Sequence, residues 1–177
     1  MIKFKKESDE VLYVDEKIPV IGTKEIGELK RLALLNQRKR VRVCTHDSPN
    51  SKLHEMFIVH TKECYVRPHK HIGKDESISV IEGVVDVVLF NNTGDICEVI
   101  NLDAVSPVGL RYCRLPSSTY HMFIIRTEFL VFHECTQGPF IRNDTIFPEW
   151  APLDGSFKQE GFIKHIESNI RSHQYGC

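Results

Sequence analysis

Histidines and one glutamate are the residues of this chain best suited to chemistry. His69 and His71 stand two residues apart in the segment CYVRPHKH, residues 64–71. Side chains alternate along a β-strand, so both imidazoles are expected on one face. Glu76 follows at the start of the next apolar segment, and His121 precedes the apolar run MFII. Imidazole and carboxylate together predict a site for one divalent transition metal, Zn, Mn, Fe or Ni, with open positions of the kind a catalytic metal needs.

Three further side chains near this segment are candidates for contact with a substrate. The same alternation predicts that Tyr65 and Arg67 share the face of the two histidines. A phenol beside a metal suits proton transfer, so Tyr65 is a predicted catalytic residue. The carboxylate of Glu76 is the other. Arg67 and Lys74 are predicted to bind substrate, although Lys74 could equally lie in solvent.

A basic cluster lies on the first predicted strand of the β-rich region, in RKRVRVCTH. Arg40 and Arg42 share one face of that strand and could grip a phosphate or carboxylate through two hydrogen bonds. His46 closes the segment, and the three residues are predicted to bind substrate. The alternative is a solvated edge strand.

The elements that must position these residues are mostly short β-strands. Runs rich in Val, Ile, Phe and Tyr, separated by Pro, Gly, Asn and Asp, predict an all-β sandwich or jelly-roll barrel. The predicted order is a lead-in arm over residues 1–22, a helix over 24–36, a barrel over about 41–136, a covering loop over 137–155 and a helix over about 157–172. The late strands are apolar on both faces, which predicts cover by the terminal helices or by a second copy of the chain.

Composition limits the class of partner. The 177 residues carry 23 Lys plus Arg against 24 Asp plus Glu, a formal charge of -1. We therefore expect no binding to nucleic acid. Neither a signal peptide nor a bilayer-spanning apolar run is visible, and the six cysteines form no Cys-x-x-Cys pair. These features predict a cytoplasmic protein with reduced thiols.

The metal-ligand candidates fall on the two motifs of the cupin superfamily, which the sequence resembles. Positions of the first motif are matched by His69, His71, Glu76 and Gly83, and positions of the second by Pro116 and His121. Glu63, Ser118 and Ile125 stand where the motifs have Gly, Gly and Asn, all turn or structural positions. The resemblance implies a double-stranded β-helix, and a homodimer is a common cupin arrangement.

A narrower resemblance covers roughly residues 24–155. RKRVRVCTHDSP, MFIVHTKECYVRPHKH, GPF and FPEWAPLDG are similar, in this order, to segments of the WbuC family of cupin-fold metalloproteins. That family is linked to O-antigen and other surface polysaccharide biosynthesis. Cys44 stands where members often have Asn, and the residues after GPF differ.

The resemblance implies the pathway, and the leading prediction is a metal-dependent enzyme that acts on a small sugar or nucleotide-sugar intermediate by isomerisation, epimerisation or a related acid/base step. The residues themselves supply only the site, because a fold of this type supports many chemistries. An iron-dependent dioxygenase and a non-catalytic sugar-binding or sensing module are the alternatives. A metal-free epimerase with His69 and His71 as bases is a further one, against which the position of Glu76 argues.

Overall fold

The computed structural model describes residues 3–174, and side chains as far as residue 170. Within this part the chain forms two α-helices, α1 (Thr23–Leu35) and α2 (Gln159–Gln174), and one 3-10 turn, Arg142–Asp144. The strands are β1 (Phe4–Lys6), β2 (Val11–Val14), β3 (Arg40–Cys44), β4 (Leu53–Thr61), β5 (Lys70–His71), β6 (Glu76–Glu82), β7 (Val84–Phe90), β8 (Ile96–Asp103), β9 (Tyr112–Leu115), β10 (Tyr120–Ile125), β11 (Phe129–Gln137) and β12 (Thr145–Ile146).

Two sheets enclose the main core. The larger has the order β1-β2-β3-β4-β11-β6-β9 and the smaller the order β10-β7-β8. Neighbouring strands run antiparallel except β2 and β3, which are parallel. Met56, Ile58 and Phe132 of the larger sheet meet Val87 and Phe123 of the smaller one in one buried cluster. The prediction of a jelly-roll body is confirmed.

The outer faces of both sheets are covered by the helices. Helix α1 packs Ile26, Leu29 and Ala33 against the larger sheet. Helix α2 packs Ile166 and Ile170 against the smaller one. Each of these isoleucine and leucine side chains, when fully buried, contributes about 1.5–3 kcal/mol. The terminal helices therefore provide the cover that the doubly apolar strands required, and the homodimer stays a prediction.

Local boundaries differ from the predicted ones in three places. Helix α1 is capped by Gly22, whose N–H donates to Glu25 Oε2 at 3.2 Å, so the helix begins at Thr23, one residue before the predicted start. The lead-in arm is part of the larger sheet through β1 and β2. Of CYVRPHKH, only Lys70 and His71 form a strand. Pro68 lacks the N–H that a continuous ladder needs, so the predicted long strand was wrong.

The covering loop packs on the smaller sheet through the single tryptophan, Trp150. Its ring contacts those of Phe90, Tyr120 and Phe162, and its Nε1 donates to the carbonyl of Asn92 at 3.1 Å. The loop is thus joined to a strand, a hairpin turn and α2 at one point. Among the described residues, no helix is both long and apolar enough to cross a bilayer.

Gly83 forms the sharp corner between β6 and β7. Its φ is +92°, and an added Cβ would lie 2.3 Å from the Phe129 carbonyl oxygen. Both observations require glycine, because side chains disfavour this conformation and the backbone cannot easily move.

Gly83→Ala is therefore expected to lower the free energy of unfolding by more than about 2 kcal/mol. Gly27→Ala is the matched control, since Gly27 is exposed within α1 and its Cβ would meet nothing within 4 Å. The control should stabilise the protein by about 0.5–1 kcal/mol. Urea unfolding measures both, and equal effects of the two substitutions would contradict this account of the corner.

Candidate metal centre

His69 and His121 are brought together by the backbone. They form an isolated antiparallel bridge, with each N–H donating to the other's carbonyl at 3.1 and 2.9 Å. In β10 His121 alternates in phase with Phe123 and Ile125, which line the interior between the sheets. Directly paired residues project to the same side, so both imidazoles face this interior, with ring centroids 4.4 Å apart.

Glu76 and His71 complete the group. Glu76 begins β6 and is buried, with Thr136 of β11 and Leu115 of β9 as cross-strand neighbours. Its Oε1 lies 2.9 Å from His71 Nε2, and its Oε2 lies 3.3 Å from His121 Nε2. The structure thus gathers all four predicted ligand residues at one end of the interior.

The other ring nitrogen of each histidine is held by an oxygen. His69 Nδ1 donates to the Arg67 carbonyl at 2.8 Å, and His121 Nδ1 donates to the Thr119 carbonyl at 3.0 Å. A carbonyl can only accept, so Nδ1 carries the proton in both rings. His71 Nδ1 lies 3.2 Å from Thr145 Oγ1, a hydroxyl that can either donate or accept. Such contacts are typical of histidines that bind a metal through Nε2.

Burial keeps the rings of His69 and His121 neutral. It lowers the pKa of His69 to about 3, with His121 adding to the effect, and it also lowers the pKa of His121. Burial alone would raise the pKa of Glu76, but the hydrogen bond from His71 and the neighbouring imidazoles lower it overall. Glu76 is therefore a carboxylate at neutral pH, surrounded by imidazoles.

The contact between His121 and Glu76 favours a cation between them. His121 Nε2 presents a lone pair to a carboxylate oxygen 3.3 Å away, and two acceptors do not attract each other. Two ligands at right angles on one metal, each about 2.1 Å from it, lie about 3.0 Å apart. The separations of 2.9 and 3.3 Å are close to that edge length. The donor types and these two separations suit a divalent transition metal.

The four side chains are not gathered into a finished coordination sphere. Among the described residues, no group of three or more His, Cys, Asp or Glu side chains is arranged to hold a metal ion as it stands. Glu76 contacts His71 and His121, but it makes no hydrogen bond with His69. Metal binding is therefore a proposal. Two observations support it: His69 and His121 carry their protons on Nδ1, and His121 Nε2 faces a Glu76 oxygen that is also an acceptor.

Tyr65 and Arg67 do not lie where strand alternation predicted. The Tyr65 hydroxyl donates to the Pro152 carbonyl at 3.1 Å, and its ring packs in the outer cluster with α2. Val66, next in the chain, belongs to the interior cluster. The alternation therefore changes phase between Val66 and His69, around Pro68, where no ladder holds it. The prediction that Tyr65 faces the metal ligands was wrong.

Arg67 and Lys74 hold the covering loop. Arg67 Nη2 donates to the carbonyls of Ala151 and Pro148 at 3.0 and 3.3 Å, and its guanidinium lies over the ring of Phe147. Lys74 Nζ donates to the Pro139 carbonyl at 2.5 Å and lies 3.4 Å from Asp144. Both predicted substrate ligands thus have donors engaged within the protein.

The basic cluster of β3 divides into paired and unpaired residues. Arg40 Nε donates to Glu10 Oε2 at 2.8 Å. His46 stacks on His54 with ring centroids 4.0 Å apart. Arg42 has its Nε buried without a hydrogen-bond partner. Val41 and Val43 of the same strand face α1, so Arg40 and Arg42 point inward, and the alternative of a solvated edge strand is excluded for them.

Two residues of this region were absent from the predicted site. Thr145 of β12 contacts His71, because β12 pairs with β5 with Thr145 opposite His71. Glu134 of β11 faces the interior in phase with Leu130 and Phe132. The alternating pattern of β11 was a usable signal for Glu134. No pattern indicated Thr145, which lies in the irregular covering loop.

Comparison with known proteins supports the fold. Residues 21–102 match a family described as "Domain of unknown function (DUF6016)". No curated protein sequence matches the chain at a significant level. The chain is similar to the crystal structure of the capsular polysaccharide assembling protein CapF from Staphylococcus aureus, with a TM-score of 0.51 and 20% identity over 64% of this chain. It spans 33% of the CapF chain.

A second solved structure, KdgF from Halomonas sp., is similar with a TM-score of 0.45 and 17% identity, over 59% of this chain and 82% of that one. The likeness to CapF, at 20% identity, bears on the fold and not on activity. With the two facing sheets and the covering helices, the chain has a cupin-type jelly-roll fold with flanking N- and C-terminal helices.

Loss of one ligand is expected to abolish metal binding. Protein purified without chelator should carry about one equivalent of a transition metal, and His71→Ala should carry less than about a tenth of that. His133→Ala is the matched control, because His133 lies on the outer face of β11 beside Phe57. Elemental analysis measures all three proteins. A metal-free wild-type protein with an intact fold, or equal metal in wild type and His71→Ala, would refute the site.

The stability of the fold is expected to fall below pH 6.5 because of His60. Burial, reinforced by Arg40 and Arg42, lowers the pKa of His60 to about 3 from an ordinary value of 6.5. Between these values the unfolded chain binds the proton and the folded chain does not. The free energy of unfolding therefore decreases as the pH falls from about 6.5 to about 3, by an amount on the order of a few kcal/mol from this residue.

His60→Gln removes this titration and should give a shallower loss of stability over the same range. Denaturant unfolding at about pH 7.5, about pH 5.5 and about pH 4.5 measures the slope. An unchanged slope in the variant would show that His60 does not carry the effect.

Proposed function

We propose that this chain is a metal-dependent enzyme that isomerises or epimerises a small sugar or nucleotide-sugar intermediate. The observation that carries the proposal is the contact of His121 Nε2 with the Glu76 carboxylate, in which two buried acceptors face each other. An ion held there would sit inside the jelly roll, at the place toward which three imidazoles are directed.

The residues that would hold one divalent transition metal, Zn, Mn, Fe or Ni, are His69, His71, Glu76 and His121. When bound by these residues, such a metal would supply a Lewis acid for a carbonyl or hydroxyl oxygen. The carbonyls of Arg67 and Thr119 fix the orientation of two imidazoles. Thr145 orients the third through Nδ1.

Proton transfer needs a group inside the same interior. Tyr65 is unsuited, because its hydroxyl is bonded to Pro152 and burial raises its pKa well above the ordinary value. Glu76, ionised and buried, can accept a proton when it is not fully engaged by the ion. Glu134 is the other carboxyl that faces the interior.

The sugar class rests on two supports. The sequence resembles the WbuC family, and the fold is similar to that of a protein described as assembling capsular polysaccharide. The matching family description, DUF6016, is not that of WbuC, so membership of the WbuC family stays a prediction. Cytoplasmic localisation and a homodimer are likewise predictions.

Deuterium exchange followed by proton NMR tests the reaction class on a panel of sugars. Isomerases and epimerases that act by proton transfer exchange a C–H of their substrate with solvent. The metal-loaded protein is incubated in D2O with a panel of nucleotide sugars and free hexoses, and proton NMR follows each ring C–H signal. One substrate should lose one signal, at least about 100-fold more slowly in His121→Ala.

His133→Ala serves again as the control and should exchange at the wild-type rate. Consumption of O2 with Fe(II), in place of exchange, would assign an oxygenase instead. Saturable sugar binding with neither exchange nor turnover would assign a binding module, and either result would overturn the proposal.

A further inference from the structure

Arg42 and Glu134 are two charged side chains outside the candidate metal centre that face the interior between the sheets. Arg42 of β3 projects in phase with Cys44, which belongs to the interior cluster. Glu134 of β11 lies between Met56 of β4 and Ile78 of β6, both interior residues. Arg42 and Glu134 therefore project into one space that is otherwise largely apolar.

Neither side chain has a partner. Within the described part of the chain, the Arg42 side chain makes no hydrogen bond or ion pair, and its Nε is fully buried. Glu134 makes none either, and the two do not contact each other although their charges interact. Arg40, one step along the same face, is bonded to Glu10 at 2.8 Å. A buried charge without a partner is costly, so the exception at Arg42 needs a reason.

The partial solvent exposure of Arg42 and Glu134, and the unpaired polar atoms near them, suit the binding of a small ligand. Arg42 and Glu134 both keep part of their surface accessible, although their neighbours Val41, Val43 and Phe132 are buried. His60, also on the interior face, has its Nδ1 buried without a partner. Several polar atoms thus converge on the same space with no protein group to satisfy them.

The charges at neutral pH are those of an anion site. Burial, together with the Glu76 carboxylate, raises the pKa of Glu134 to about 8. Glu134 is then a neutral acid that can donate a hydrogen bond, and Arg42 supplies a positive charge. His60 is neutral, because burial lowers its pKa to about 3.

We propose that Arg42 binds the carboxylate of a small acidic molecule beside Glu134, with the rest of that molecule extending toward Glu76 and the histidines. This inference rests on the proposed function for the statement that the bound molecule is the substrate. It narrows that substrate to a sugar acid or a related carboxylate.

A carboxylate fits this pocket better than a phosphate. One guanidinium balances the single negative charge of a carboxylate, and its planar pair of donors matches two carboxylate oxygens. A phosphate carries more negative charge than one guanidinium balances. Arg67 and Lys74, which could have balanced it, hold the covering loop.

Isothermal titration calorimetry with matched ligands tests the pocket. The probes are D-glucuronate, D-glucose and D-glucose 1-phosphate, titrated into the protein as purified and after EDTA treatment. Glucuronate should bind saturably and at least about tenfold more tightly than either other sugar. Arg42→Gln should remove that preference, and Arg42→Lys should weaken it, because lysine keeps the charge and loses the paired donors.

Arg111→Gln is the matched control, since Arg111 is exposed and has no side-chain contact within the described residues. It should bind glucuronate like the wild type. Thermal unfolding of each variant shows whether it is folded, and Arg42→Lys keeps the test valid if Arg42→Gln is not.

Equal binding of glucose and glucuronate, no saturable binding of glucuronate, or an unchanged preference in both Arg42 variants would overturn the inference. A preference for glucose 1-phosphate that depends on Arg42 would replace the carboxylate by a phosphate. Carboxylate binding that survives EDTA, in a protein that exchanges no C–H, would uphold the pocket and refute the proposed reaction.

Discussion

The backbone bridge between His69 and His121 is the interaction on which the candidate site depends. It fastens the irregular segment 64–69 to the first residues of β10, and it turns His69 to the side of the strand on which His121 lies. Pro68 prevents a regular strand before it, so no neighbouring ladder sets the direction of His69. Without these two hydrogen bonds, no regular strand pairing would fix the position of the His69 imidazole.

Backbone carbonyls and the covering loop hold the three imidazoles in place around this bridge. Two ring nitrogens are bonded to carbonyls of the same short segments, and the third contacts Thr145 in the covering loop. Arg67 and Lys74 in turn bind carbonyls of that loop from below. Arg67 and Lys74 could have bound a ligand through their positive charges, but they hold the covering loop instead. Arg42, which faces the interior, is left unpaired.

The part of this arrangement that could be predicted from the sequence follows from periodicity. Alternation in β10 and β11 and the helical spacing of Ile26, Leu29 and Ala33 indicated the layers, and the motif spacing brought together the four ligand residues. Tyr65 and Arg67 were misplaced because alternation was extended through Pro68, where pairing stops. The partner of Arg40, Glu10, immediately precedes β2, which pairs in parallel with β3, and no local pattern reveals this contact.

Trp150 gives the covering loop an optical signature of its own. Because it is the single tryptophan and lies against Phe90, Tyr120 and Phe162, its indole emission reports the junction of loop, sheet and α2 with no labelling. The same loop carries Phe147 against His69 and Thr145 against His71. A displacement of the loop that opened the histidine cluster to larger molecules would therefore also change the environment of the indole. The fluorescence of Trp150 would then report the opening of the cluster directly.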